Sequence, residues 1–282
     1  METLQLPGLI VSVEWLHEHL DHPDLVILDA SIKKVTSSKE SLAQDLQIPG
    51  TRFFDIKKSF SDQASHLPNM LPSAEVFEKN CQELGINANS KIIIYDTIGI
   101  YSSPRAWWMF SRMGHMNVAV LNGGFPEWKK KQLPTENKTT NTVFNIGDFE
   151  INDRSKCTVN AKEILSEMND PDTLILDARS SGRYLGIEPE PRSDLKGGHI
   201  PNSKNLPYTK VLQQEKMLPV EQLKNIFDGF DIANKKLIFS CGSGITACII
   251  LLAAQLAGYT NLWIYDGSWT EWGQLTDVPI EF

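Results

Sequence analysis

One thiol, Cys241, has the surroundings of a nucleophile. It lies in Lys236-Leu-Ile-Phe-Ser-Cys-Gly-Ser-Gly-Ile-Thr-Ala-Cys-Ile-Ile-Leu-Leu252. The apolar run 237–240 has the length of a buried central strand. Residues 245–256, between Gly244 and Gly258, read as a helix. Cys241 is therefore expected where a strand hands over to a helix, in a loop that Gly242 and Gly244 let curl. Successive N–H groups and a helix N-terminus stabilise an anion at such a turn. A thiol held there is expected partly or wholly as thiolate at neutral pH, hence nucleophilic. Ser243 adds a hydroxyl at the loop rim. The plainer alternative is a buried, inert cysteine in a glycine turn.

The elements that must position this loop occur twice in the sequence. In the first half, 11–20 reads as a helix with Ser12 as N-cap, 25–28 as a strand, 72–85 as a helix and 91–95 as a strand. A helix over 103–114 with proline near its start, a strand over 118–121 and a turn at 122–124 follow. The second half repeats the order. Leu174-Ile-Leu-Asp-Ala178 echoes Leu25-Val-Ile-Leu-Asp-Ala30, and Met217-Leu-Pro219 echoes Met70-Leu-Pro72. Leu237-Ile-Phe239 matches Ile92-Ile-Ile94, and Asn261 to Trp272 matches Asn117 to Trp128. Partners lie roughly 150 residues apart, which marks a duplicated domain rather than a solenoid. The fold class expected is α/β: two tandem domains, each a mostly parallel central sheet flanked by helices. The division expected is 1–140, a polar linker at 141–157, and 158–282. The alignment sets Asp96 opposite Cys241, so only the second copy carries a thiol at its strand–helix turn.

Composition narrows the class. The chain has 282 residues, 41% hydrophobic and 22% charged, with a formal charge of −8. That balance suits a globular enzyme and argues against nucleic-acid or anionic-membrane partners. No targeting pattern and no membrane-length apolar run is visible, so a cytoplasmic location is expected. The four cysteines, Cys81, Cys157, Cys241 and Cys248, form no C-x-x-C pair, which removes the common zinc and thioredoxin signatures. Cys248 is expected on the helical face of Cys241, two turns on, in a core role. The tryptophans read as core or interface packing.

At this point the chain resembles the two-domain rhodanese-like sulfurtransferases over essentially its whole length. The residues that carry the resemblance are Asp177-Ala-Arg179, Gly182-Arg-Tyr-Leu-Gly186, Glu188-Pro-Glu-Pro-Arg192, Gly198-His-Ile-Pro201, Cys241-Gly-Ser-Gly-Ile-Thr246 and Tyr265-Asp-Gly-Ser-Trp269. The cysteine loop is similar to that of the branch that uses 3-mercaptopyruvate; thiosulfate-specific relatives carry charged residues at Gly242 and Ser243. The resemblance implies a silent first domain and a Cys241 persulfide, stabilised by the N–H groups of Gly242, Ser243, Gly244, Ile245 and Thr246. It places Arg183 and Arg192 on the donor carboxylate and keto group, a task suited to arginine's planar fork. The implied partners are a small-molecule sulfur donor and a thiol acceptor, such as thioredoxin or a low-molecular-weight thiol, or cyanide. No cofactor and no metal is expected. Arg179 is expected to support the fold by pairing with a carboxylate, and His199 to hydrogen-bond within its loop.

One departure stands out. The family's mercaptopyruvate branch sets an aspartate and a histidine from the first domain against the loop serine. Here alignment on Met70-Leu-Pro72 puts Asn69 at the histidine place and Lys57 or Lys58 at the aspartate place. His66 and Asp62 lie nearby as substitutes, and His66 reads equally as a surface residue. Three rivals follow: a thiosulfate:cyanide sulfurtransferase, a non-catalytic sulfur carrier or binding module, and a phosphatase on the same fold. The last needs an arginine six residues after the cysteine, where Ala247 stands.

Overall fold

The computed structural model describes residues 4–33, 45–138, 142–152, 157–230, 232 and 234–282. The chain forms two units, Met1–Gln63 with Leu71–Ser155, and Ala64–Met70 with Lys156–Phe282. In the first, a five-stranded sheet runs in the order Ile10–Val11, Val118–Leu121, Lys91–Tyr95, Leu25–Asp29, Thr51–Phe53. In the second, the order is Thr158–Val159, Leu262–Tyr265, Lys236–Ser240, Thr173–Asp177, Lys204–Asn205. Both sheets are parallel throughout. The duplication thus extends to strand order, and also to register. Asp29 pairs with Tyr95 in one unit as Asp177 pairs with Ser240 in the other. The residue after each central strand is Asp96 or Cys241, as the sequence alignment expects.

Each central strand is buried beyond its first residue, as a strand covered on both faces must be. The helix behind Cys241, Ala247–Leu256, buries eight of its ten residues and, with Gln255 as its one polar residue, is a core helix rather than an amphipathic one. Surface helices instead carry caps: Ser12 accepts from the Trp15 N–H, Ser73 from the Val76 N–H, and Asn160 forms a capping box with Glu163. Trp107, Trp128, Trp269 and Trp272 are fully buried, in keeping with the core reading.

Several features differ from the sequence expectation. The helix after Cys241 begins at Ala247, not at residue 245, because Gly244 takes a left-handed φ of 76° that interrupts it. Cys248 therefore lies in the first turn of that helix, its Sγ against the Gly244 carbonyl at 3.4 Å, and not two helical turns from Cys241. The turn at 122–124 leads directly into a helix, Gly124–Lys130, and short helices form at Ser181–Tyr184 and Ser268–Trp272. Segments this short hold too few residues for a period to show.

The division at 1–140, 141–157 and 158–282 does not anticipate the excursion of Ala64–Met70 into the second unit. Within the stretch read as linker, residues 142–152 pack on the first unit: Phe149 is buried between Phe77 and Phe110, each ring 5.9 Å away. One buried aromatic anchors a segment whose average polarity suggests a connection. The parts of that boundary stretch at 139–141 and 153–156 lie outside the described residues.

Candidate active site

Cys241 follows the central strand Lys236–Ser240 and is 1% exposed. Its N–H donates to Ser268 Oγ at 3.2 Å, and its carbonyl accepts from the Trp269 N–H at 2.9 Å. The next carbonyl, Gly242 O, accepts from the Thr270 N–H at 2.9 Å and from Thr270 Oγ at 2.6 Å. The loop is thus stitched to the start of the helix Ser268–Trp272. Ser268 itself sits at φ 50° and donates its Oγ to the Tyr265 carbonyl at 2.7 Å. These bonds draw the loop carbonyls one way. Among the described residues, the N–H groups of Gly242, Ser243, Ile245, Thr246 and Ala247 meet no acceptor within the chain. Thr246 and Ala247 open the helix, where such groups favour negative charge. Ile245 is buried and its carbonyl accepts from the Cys248 N–H at 3.2 Å.

The first unit shows what this turn does with an anion of its own. Asp96 is fully buried, and its carboxylate accepts from the N–H groups of Ile98, Tyr101, Ser102 and Ser103 and from Ser103 Oγ, at 2.7–3.0 Å. Burial raises its pKa, against the lowering pull of those bonds, Ser103 first. In the duplicated register, Ile98, Tyr101 and Ser102 correspond to Ser243, Thr246 and Ala247. Three of the four N–H donors around Asp96 thus have counterparts without an acceptor in the second unit; the fourth, Ser103, corresponds to Cys248, whose N–H donates to the Ile245 carbonyl.

The two arginines expected at the site converge on the Gly242 peptide. A Cβ on Gly242 would come 3.1 Å from Arg183 Nη2, so glycine is what allows the guanidinium to approach the loop. Arg192 reaches the same peptide through Thr270, its Nη1 donating to Thr270 Oγ1 at 2.8 Å. Arg183 is aimed by Glu190, which accepts from Nε at 3.1 Å and from Nη2 at 2.5 Å. Glu190 also accepts from Arg179 Nη1 at 2.9 Å. Arg179 in turn grips Asp177 through Nε and Nη2 and donates to the Gly198 carbonyl. Burial works against its charge, but Asp177 and then Glu190 hold its pKa above the ordinary arginine value. Arg179 is thus the buried support of the Arg183–Glu190 pair. His199 stacks on Tyr184 with centroids 3.7 Å apart and its Nδ1 meets the Tyr184 carbonyl, a structural use.

Ser243 has an amide beside it. Asn69 Nδ2 donates to Ser243 Oγ at 3.2 Å and to Ser243 O at 3.3 Å, both residues belonging to the second unit. Of the two proposed substitutes, His66 is exposed and Asp62 is exposed in the first unit. Lys57 and Lys58 donate their N–H groups to Asp55 Oδ1 in a turn of that same unit. The site also uses residues that sequence reading passed over: Glu190, Ser268 and Thr270. Ser268 and Thr270 lie in the repeated segment ending at Trp272, where aromatic packing dominates the pattern and hides two hydroxyls. Glu190 falls inside the quoted Glu188-Pro-Glu-Pro-Arg192, yet nothing local tells which of two glutamates turns inward.

The chain is similar to proteins of known family and fold. The sequence matches the rhodanese-like domain family over residues 12–131 and 160–275. It is 38% identical to thiosulfate/3-mercaptopyruvate sulfurtransferase 1, mitochondrial, of Arabidopsis thaliana, covering 96% of this chain and 78% of that one. It is 36% identical to the 3-mercaptopyruvate sulfurtransferase of Escherichia coli K12, covering 96% and 97%. The crystal structure of SseA from Escherichia coli, described for its rhodanese fold and 3-mercaptopyruvate sulfotransferase mechanism, superposes with a TM-score of 0.82 at 34% identity over 93% of this chain and 99% of that one.

Proposed function

The chain belongs to the rhodanese-like domain family and is a sulfurtransferase, and from that premise we propose that Cys241 takes sulfur from 3-mercaptopyruvate as a persulfide and passes it to a thiol or to cyanide. The observation that supports this reading best is the convergence at Gly242: Arg183 approaches one side of that peptide, and Arg192 is tied to it through Thr270. Two planar cations beside a loop with uncharged side chains suit a small keto carboxylate.

The reaction then runs in two halves. The donor carboxylate and keto oxygen rest on Arg183 and Arg192. Cys241 Sγ, as thiolate, attacks the donor sulfur and forms the S–S bond. The donor C–S bond breaks with its electron pair passing to carbon, where the keto group delocalises it as an enolate. A proton taken up at that carbon gives pyruvate. The loop N–H groups stabilise the charge on Cys241 before the attack and on its persulfide afterwards. In the second half, an acceptor thiolate or cyanide attacks the outer sulfur and returns Cys241 as thiolate. The acceptor expected is thioredoxin or a low-molecular-weight thiol, in the reducing cytoplasm that keeps Cys241 free.

Thiosulfate is the second donor to consider, and Asn69 favours it. An amide relays no proton to Ser243, and sulfite leaves thiosulfate without needing one. Intact mass after incubation with 3-mercaptopyruvate tests the proposal: wild type gains about 32 Da, one sulfur, and Cys241→Ala gains nothing. Pyruvate is released in step. A higher kcat/KM with thiosulfate would reverse the choice of donor, and no adduct with either donor would leave a binding module.

A further inference from the structure

Thr270 has no part in the reaction as described, yet its side chain touches both the sulfur loop and an arginine. It is 3% exposed. Its hydroxyl donates to Gly242 O at 2.6 Å and accepts from Arg192 Nη1 at 2.8 Å. A hydroxyl has one proton to give, and the carbonyl and the guanidinium can be satisfied in only one sense. The chain of bonds therefore runs from Arg192 through Thr270 to Gly242. A charged donor on the oxygen strengthens the bond that the hydroxyl makes in turn.

Two consequences follow from holding this carbonyl. The Gly242–Ser243 peptide is planar and trans, so fixing the carbonyl points the Ser243 N–H the opposite way. That N–H is one of the loop donors without an acceptor among the described residues. At its other end, the same hydroxyl limits where the Arg192 head can lie. Arginine carries several flexible torsions, and a partner that fixes its fork lowers the entropy lost when an anion binds.

We propose that Thr270 is a positioning residue that couples Arg192 to the sulfur loop, so that an anionic donor meets the arginine in register with Cys241. This rests on the donor assignment above. A purely structural Thr270 would need only its methyl packing and its N–H bond to Gly242 O, both of which valine retains.

The test is steady-state turnover of 3-mercaptopyruvate by wild type, T270V and T270S, with kcat and KM resolved and folding checked by thermal melting. T270V is expected to raise KM about tenfold, the scale of one hydrogen bond to a charged group. Its kcat should stay within about threefold, because the lost interaction serves donor binding. T270S restores the hydroxyl and should return KM to within about threefold of wild type. In an R192A background, T270V should add almost nothing, since the two act through one contact. An unchanged KM in T270V, a T270S no better than T270V, or a full additional effect in R192A overturns the inference. If T270V does not fold, T270A carries the same expectations. A wild-type protein that neither turns over the donor nor gains mass refutes the donor assignment itself, a result read without any variant at position 270.

Discussion

Asp96 and Cys241 occupy one position in two copies of the same fold, and the first shows how the turn treats a negative charge. Each follows the last residue of a central strand in the same register. Around Asp96, four N–H groups and a hydroxyl close on the carboxylate. Around Cys241, three of the corresponding N–H groups have no acceptor among the described residues. The turn that spends its donors on a carboxylate in one unit leaves three of the corresponding donors without an acceptor in the other.

Asp96→Asn should therefore destabilise the protein without touching the chemistry. The amide nitrogen would turn donors toward the N–H groups of Tyr101, Ser102 and Ser103, leaving buried donors unmet at a cost of about 1–3 kcal/mol. Urea unfolding should report the loss, while persulfide formation per folded molecule stays at the wild-type level. A variant as stable as wild type would mean the carboxylate is not what orders the turn.

Glu190→Gln tests the support beneath Arg183. Glu190 joins a buried arginine, Arg179, to a partly exposed one, and its side chain is 1% exposed. Asp177 still neutralises Arg179 in the variant, so the loss is that of hydrogen bonds to charged groups, about 1.5–3 kcal/mol. Arg183 keeps one bond in place of two and no longer has a fixed fork. Donor KM should rise severalfold, with a smaller change in kcat. Equal KM values would show that Arg183 reaches its place without Glu190.

Much of this was legible in the sequence, for physical reasons that differ by element. The central strands 91–95 and 236–240 are each a short run, apolar at 92–95 and 237–239, of the length a buried strand needs. The repeat was visible because strand, turn and tryptophan recur in one order. The start of the Ala247–Leu256 helix was set two residues early, since nothing in an apolar sequence marks where a left-handed glycine ends a loop. Arg183 and Arg192 came from the family resemblance, whereas Cys241 stood out by its type and its glycine turn. Thr270 and Ser268 did not: their importance comes from the carbonyl and N–H groups they meet, and these belong to residues far away in the chain. Asn69 was placed by alignment as a departure from the family, and only the structure shows its amide bonded to Ser243.

His115 gives a pH signature to the first unit. It is packed among Phe110, Phe149 and the Ser90 carbonyl, and burial lowers its pKa from 6.5. The unfolded chain takes up a proton as pH falls through 6.5, whereas the folded protein resists until lower pH. Its contribution is thus fully present above 6.5 and is lost as pH falls below that value toward the folded pKa. Comparing urea midpoints of wild type and His115→Gln between about pH 7.5 and 5.5 should show a gap that narrows toward acid. A constant gap would place the titration elsewhere.

Asn69→His would put an imidazole where the structure holds an amide. Asn69 has a left-handed φ of 59°, a conformation that histidine tolerates better than most residues, so the backbone need not shift. In wild type, the amide donates to Ser243 Oγ and has no proton to exchange in the working pH range. The pH profile of kcat/KM with 3-mercaptopyruvate should therefore lack an imidazole limb from this contact. In the variant, a neutral ring would accept from the Ser243 hydroxyl, which then gives its proton to the departing enolate and is reprotonated from solvent through the ring. A new limb should then appear near about pH 6.5, with the higher rate on its alkaline side. With thiosulfate, whose leaving group needs no proton, the two profiles should coincide. A variant that changes both donors alike would mean that Asn69 orders Ser243 for the loop's shape and not for proton transfer.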